Sequence, residues 1–299
     1  MKLLTRRAIL GVGAATVGAA ALEVESFRGR FDHRRLSVSA AERYLTGLAA
    51  LKQDAVIHVG HSTHLIFLAG ARFLTDPWFY DPAFGALEHV VGPAVAPENI
   101  GALDAILVSH DHADHADMRA IDRLDKRAVF FAPTRDVAAR ARSQGFSRVE
   151  VLSQWQEARV GAVTVSAVPA EHDIYEIGYV LSAIRSVYFA GDTRLFDGVR
   201  AIAERFTPSL ALLPVDGTRL TGGALHVMTP ADAVEAAKIL RCAAALPSHA
   251  DARFSDPIAG HLLASTISGE GAIFTDALAR VLPSVVRPLP AAGDVTLIP

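Results

Sequence analysis

His110, His112, Asp114 and His115 form a His-x-His-x-Asp-His run in a chain that carries 12 histidines. Two imidazoles two residues apart in an extended segment project to the same side and can hold one divalent ion. Asp114 and His115 fall on the turn that follows and can hold a second ion nearby. Asp111, between the first two histidines, is expected to point away from the metals. A solvated His/Asp loop is the bland alternative, and so dense a match to a metal-binding pattern argues against it. The imidazole-rich set suits zinc first, while its carboxylates keep manganese and iron in play. Cys242 is the single cysteine, which excludes an internal disulfide and a cysteine-rich zinc site. No Gly-x-Ser-x-Gly nucleophile elbow is present, so the chemistry falls to bound metal.

Two ions need further ligands, and three candidates each end an apolar, strand-like run. His172 follows Val163–Pro169, Asp192 follows Val187–Ala190, and His249 follows Ala243–Pro247. Ligands at strand ends gain rigidity from the strands behind them. Taken singly, each is more often a satisfied loop residue; beside the first cluster they reinforce one another. Other expected strands are Val56–Val59, Leu65–Leu68, Arg72–Thr75, Asp104–Ser109, Val129–Phe131, Val149–Leu152, Gly178–Leu181, Leu210–Val215 and Val295–Ile298. Expected helices are Met118–Leu124, Thr134–Ser143, Phe196–Arg205 and Thr229–Leu240. The last opens on Thr229 as N-cap, Pro230 at the first helical position, and Asp232 three residues after the cap. No internal repeat appears, and the alternation of strands and helices predicts one α/β domain over 55–299, after a polar lead-in at 23–54.

The series His110–His115, His172, Asp192 and His249 resembles the metallo-β-lactamase superfamily. The upstream runs His58-Val59-Gly60-His61-Ser62-Thr63-His64 and Thr75-Asp76-Pro77-Trp78, with His226 before Thr229-Pro230, resemble one branch of it. That branch holds N-acyl-phosphatidylethanolamine-hydrolysing phospholipase D and ascorbate-6-phosphate lactonase-like proteins. The match covers about residues 55–255 and departs at His58, where the branch has Trp, and at His64, usually apolar or aromatic. Between 252 and 284 it is poor. The resemblance implies an αββα sandwich with two metal ions: His110, His112 and His172 on one, Asp114, His115 and His249 on the other, Asp192 bridging. It implies that Asp76 orients a ligand imidazole and places His61 and His226 in the pocket or in structural roles. Asp114 and His226 are the implied catalytic residues, acting on the nucleophile and on the substrate or leaving group. Asp192 stands where the family's β-lactamases often have Cys, which favours phosphodiester or lactone substrates over antibiotics.

The chain has 299 residues, 51% of them hydrophobic, and a formal net charge of −3 with charges interspersed. No basic stripe with interleaved aromatics marks a nucleic-acid partner. Lys2, Arg6 and Arg7 precede an uncharged Ala/Gly-rich stretch from Ala8 to Leu22, the order of an export signal. Arg6-Arg7 resembles a twin-arginine signal over 1–22, departing at Ile9 and Gly11. A periplasmic or otherwise exported protein is expected; a cytoplasmic one follows if this segment is an ordinary amphipathic helix. The function expected is hydrolysis by a metal-bridging hydroxide, first of a phosphodiester in the manner of phospholipase D. Its substrate would be a small molecule or lipid-derived, reached in the second case at a membrane surface. A lactonase or other carboxylic-ester hydrolase is the alternative, and a non-catalytic envelope metal-binding protein a third.

Overall fold

A computed structural model describes residues 38–51, 53–220, 223–255 and 264–299. The expected leader at 1–22 and the lead-in as far as residue 37 lie outside the described residues. In chain order the first elements are α1 (Val38–Ala50), β1 (Ala55–Gly60), β2 (Thr63–Leu68), β3 (Ala71–Thr75), β4 (Leu87–His89), β5 (Ala105–Leu107), α2 (Met118–Ile121), β6 (Val129–Ala132), α3 (Arg135–Ser143), β7 (Val149–Val151) and β8 (Glu157–Val160). There follow β9 (Val163–Pro169), β10 (Ile177–Ser182), β11 (Ser186–Phe189), α4 (Gly198–Arg205), β12 (Leu210–Pro214), β13 (Arg219–Leu220), α5 (Pro230–Leu240), β14 (Ala244–Ser248), β15 (Ala252–Phe254), β16 (Ala264–Ser265), α6 (Glu270–Val281) and β17 (Val295–Leu297). One sheet runs β17-β1-β2-β3-β5-β6-β7 and the other β14-β12-β11-β10-β9-β8.

Neighbouring residues of one strand serve different cores. Val56, Ile66, Phe73, Leu107 and Phe131 meet Val165, Tyr179, Phe189 and Leu246 between the two sheets. The adjacent Ile57, Leu65, Leu74, Ile106 and Phe130 face the other way, under Tyr44 of α1, Met118 of α2 and Val137 of α3. Behind the second sheet, Val180, Tyr188 and Leu213 pack beneath Ile202 of α4, Leu240 of α5 and Phe274 of α6. Side chains alternate faces along a strand, and here both faces are covered, so the strands read as unbroken apolar runs. Four layers in the order αββα result, in one domain, as the sequence led us to expect. Phe73, Phe130, Phe131 and Phe189 are fully buried, each contributing about 1.5–3 kcal/mol of transfer free energy.

Several elements carry no local signal. β4 pairs with β15 and β13 with β16, short ribbons closed across long stretches of chain. Helix α6 starts on Gly269 at φ 70° with no side-chain cap, so the usual start residue is missing although Phe274 and Leu278 lie on one buried face. His58 and His64, the two departures from the family pattern, are cross-strand partners. Their Nδ1 atoms lie 3.4 Å apart and His64 Nε2 is 3.1 Å from Ser248 Oγ. Burial pushes His58 down to about 4 and His64 well below its ordinary value, so the pair is neutral. Among the described residues no helix is long and apolar enough to cross a membrane.

The expected capping box on α5 is present, with Asp232 in the place usually taken by Glu. Thr229 Oγ1 accepts from Asp232 N at 3.2 Å, and Asp232 Oδ2 accepts from Thr229 N at 3.0 Å. This cap fixes the exit of the segment that carries His226. Thr229→Ala should lower unfolding free energy by about 1 kcal/mol, seen in urea as a lower midpoint at unchanged slope; an unchanged midpoint would show the cap to be energetically silent.

Candidate metal centre

β1, β3 and β5 end at one edge of the first sheet, and β9, β11, β12 and β14 at one edge of the second. His61 follows β1, Asp76 follows β3, Ser109-His110 follow β5, His172 follows β9, Asp192 follows β11, Asp216 follows β12 and His249 follows β14. Carboxyl ends of strands are where open α/β sheets gather their ligands. The chain turns sharply there: His61, Asp76 and His249 take left-handed φ values of 52°, 30° and 49°. Such a conformation costs a non-glycine residue about 1–3 kcal/mol and persists where the surroundings enforce it.

Two groups of side chains converge, and within each all the donor atoms lie within 4.8 Å of one another. The outer group is His110, His112, His172 and Asp192. His110 Nε2 is 2.9 Å from His112 Nδ1, which is 3.3 Å from His172 Nε2. The inner group is His61, Asp114, His115 and His249. Asp114 Oδ2 lies 3.7 Å from both His61 Nε2 and His115 Nε2, and 3.8 Å from His249 Nε2. Asp192 Oδ2 stands between the groups, 2.9 Å from both His115 Nε2 and His249 Nε2 and 3.8 Å from His110 Nε2.

The donor set fits divalent metal. His61 Nε2, His115 Nε2, Asp114 Oδ1 and Asp192 Oδ1 are buried without a hydrogen-bond partner. His115 Nε2 lies 2.9 Å from Asp192 Oδ2 without a hydrogen bond between them. Donors about 2.0–2.2 Å from one ion lie within roughly 4.4 Å of each other, and the separations of 2.9–3.8 Å named above fall inside that limit.

Outside the two groups, carboxylates and carbonyls hold the imidazoles. Asp76 Oδ2 is 2.7 Å from His115 Nδ1, and its carboxylate accepts from Ser109 N at 2.7 Å and Ser109 Oγ at 2.6 Å. Glu176 Oε1 lies 3.1 Å from His110 Nδ1 and accepts from Asp192 N at 2.7 Å. Asp216 Oδ2 lies 3.0 Å from His249 Nδ1 as an ion-pair neighbour, without a hydrogen bond between them. The His226 carbonyl is 3.1 Å from His172 Nδ1, and the Ala250 carbonyl 2.9 Å from His61 Nδ1. Such partners turn the other ring nitrogen towards the centre.

Sequence reasoning missed Glu176, Asp216 and Asp173. Asp216 ends the apolar run Leu210–Val215 just as Asp192 ends its own, and that signal could have found it. Glu176 precedes β10 and gives no such signal. Asp173 Oδ1 is 2.8 Å from His172 Nε2, and its Oδ2 is 3.7 Å from His226 Nδ1. The structure leaves the His226 side chain outside both groups, on the wall of the adjoining cavity. Asp111 pairs with Arg140 and points away, as its position implied.

Burial opposes charge on Asp114 and Asp192, but the imidazoles of His115 and His249 outweigh it and hold both carboxyls well below the usual range. Asp76 is raised by burial, with His115 pulling the other way. Burial likewise opposes charge on His115 and His249, yet Asp192 and its neighbours hold both well above their ordinary value. Against burial, Asp173 and nearby carboxylates raise His172 to about 9. Burial lowers His61 and His112 to about 4, aided by the neighbouring rings of His249 and His110. Without metal the carboxylates therefore recruit protons onto His115, His249 and His172, and a metal must displace them.

Residues 71–250 match the family described as Beta-lactamase superfamily domain. A UPF0173 metal-dependent hydrolase of Rubrobacter xylanophilus is 32% identical over 213 residues, 65% of this chain and 80% of that protein. The isothiocyanate hydrolase from Delia radicum gut bacteria superposes with a TM-score of 0.67 at 22% identity, covering 81% of this chain and 98% of its own. A metallo hydrolase of Ignicoccus hospitalis superposes with a TM-score of 0.61 at 20% identity, covering 82% and 98%. The two superpositions show a shared fold.

His172 gives a signed pH dependence. Its pKa is raised to about 9 from an ordinary 6.5, so in metal-free protein its contribution is complete below about 6.5 and lost as pH rises through about 9. Melting of chelator-treated protein should fall across that window while metal-loaded protein holds; a flat metal-free profile would contradict the proton-loaded site. Gly191 at φ 68° leaves no room for a side chain, because a Cβ there would strike Glu176 Oε1. Gly191→Ala should displace Glu176 and weaken metal affinity by about 10–100-fold, measured by competition with a chromophoric chelator; unchanged affinity would show Glu176 to be dispensable.

Proposed function

The chain belongs to the β-lactamase superfamily and is a metal-dependent hydrolase, and from that premise we propose a two-ion enzyme for a small, uncharged, largely apolar ester or lactone. The lining of the cavity beside the donors carries this reading. The cavity measures about 280 Å³, and Phe84, Leu87, Leu220, Val227 and Phe254 give it apolar walls beside His112, Asp114, His172, Asp192 and His249. Among the described lining residues there is no Lys or Arg, and segments 221–222 and 256–263 contain none in sequence. Asp173 and Asp216 also line it. With no Arg or Lys beside them, two ions alone would carry the negative charge of a phosphodiester, and the outer walls add only apolar contact. A neutral carbonyl needs no further charge from those walls. The phospholipase D-like reading rests on the Gly60–Thr63 and Thr75–Pro77 runs and stands as the competitor. A non-catalytic role is disfavoured by the complete donor set.

His110, His112 and His172 would hold one ion and Asp114, His115 and His249 the other, with Asp192 between them. Bound there, two ions lower the pKa of a shared water and polarise a carbonyl. Asp114 Oδ1, buried and unpartnered, is placed to accept a proton from the attacking water. His226 Nδ1, also without a hydrogen-bond partner, stands on the cavity wall where it can hand a proton to the leaving oxygen. Phe84, Val227 and Phe254 line the same cavity and offer apolar contact to the substrate.

Metal-replete protein should be offered lactones, carboxylic esters, an isothiocyanate, β-lactams, a simple phosphodiester and N-acyl-phosphatidylethanolamine. Turnover of neutral carbonyl substrates above the phosphodiesters is expected, with His112→Ala lowering kcat by at least about 100-fold. Phosphodiester turnover with the esters and lactones untouched would reverse the substrate assignment. Full activity in His112→Ala would sink the metal mechanism.

A further inference from the structure

We propose that His61 is itself a metal ligand, which gives the inner site five protein donors and makes it load before the outer one. The proposal rests on the two-ion reading above and concerns how unequal the two sites are. His61 is completely buried. Its Nδ1 donates to the Ala250 carbonyl at 2.9 Å, which leaves a bare lone pair on Nε2. That lone pair has no partner and faces Asp114 Oδ2 at 3.7 Å, too far for a hydrogen bond. His89 Nε2 is buried and unpartnered too, so burial alone marks no ligand; what sets His61 apart is that its Nε2 lies within 4.8 Å of donor atoms on Asp114, His115 and His249. A lone pair held against carboxylate oxygens is repulsive unless a cation lies between them.

The surroundings spend strain to keep the ring there. His61 sits at φ 52° without being glycine. Trp78 abuts it edge-on with ring centroids 5.0 Å apart, and Trp78 in turn stacks on His89 at 3.7 Å. The Trp78 indole N–H is tied to the Tyr80 carbonyl at 2.9 Å, so the prop cannot swing away. His61 also leaves the end of β1 as His110 leaves the region beyond β5, the placement shared by the other donors.

His61, Asp114, His115, His249 and the intervening Asp192 make five protein donors, and one solvent oxygen completes six. Six-coordination suits manganese or iron better than the tetrahedral preference of zinc. Every residue of the inner group is buried, whereas the His112 side chain of the outer group is 25% exposed at the cavity. The inner ion is thus the caged one and the outer ion the exchangeable one.

Metal-free protein titrated with cobalt(II) tests this by metal analysis and visible absorption, neither of which needs turnover. Wild type should take two equivalents, the tighter giving the weak absorption of a six-coordinate ion. His61→Phe keeps the ring packing and removes both nitrogens; it should weaken the tighter equivalent by at least about tenfold and intensify its absorption. Should His61→Phe fail to fold by circular dichroism, wild type alone decides by proton NMR. Three exchangeable, cobalt-shifted ring N–H signals are expected with the tighter equivalent, from His61, His115 and His249. Two signals, or a folded His61→Phe with unchanged affinity and spectrum, would overturn the His61 assignment. Wild type that binds no cobalt would instead overturn the two-ion reading.

Discussion

Asp192 is a carboxylate buried among imidazoles from both sheets, and the rest of the centre is arranged around keeping it charged. An isolated carboxylate at that depth would protonate, because desolvation penalises the anion. His115 and His249, each 2.9 Å from its Oδ2, prevent that. They are held in turn by Asp76 and Asp216, which need their own partners, and Ser109 supplies two for Asp76. Charge compensation thus spreads outward from one oxygen until it reaches main-chain amides. The cluster carries more carboxylates than its neutral histidines could balance, and a divalent cation supplies the difference without protons.

The same balance of charge shapes what the cavity admits. Close to the donors, two ions would offset the carboxylates and face the substrate's oxygen atoms. Farther out, Phe84, Leu87 and Phe254 offer only dispersion and the release of water. None of the described lining residues adds a cationic side chain on that wall, so the charge of an anionic substrate would fall to the ions alone.

The parts of this architecture that the sequence announced share one physical property: they are local. A single α/β domain follows from short apolar runs alternating with helices, while the αββα order followed from the family resemblance. The donors that end such runs, His172, Asp192 and His249, are legible because a strand end is a local event. His61 was legible as a pocket residue only, since its meaning depends on the Ala250 carbonyl far along the chain. Glu176 touches His110 through tertiary packing and left no trace in spacing. β4 and β15 pair across more than 150 residues, a closure no local window can register. Helix α6 escaped because glycine stands where a capping side chain would have marked its start.

Each donor group draws on both halves of the molecule. His61, His110, Asp114 and His115 hang from the first sheet, and His172, Asp192 and His249 from the second. The centre is therefore a clasp across the seam between the sheets, filled below by side chains such as Phe73 and Phe189. Whatever sets the gap between the sheets also sets the spacing of the donors. Repacking that distant seam by even one methylene would be felt at the clasp as a change of bite, with no donor altered.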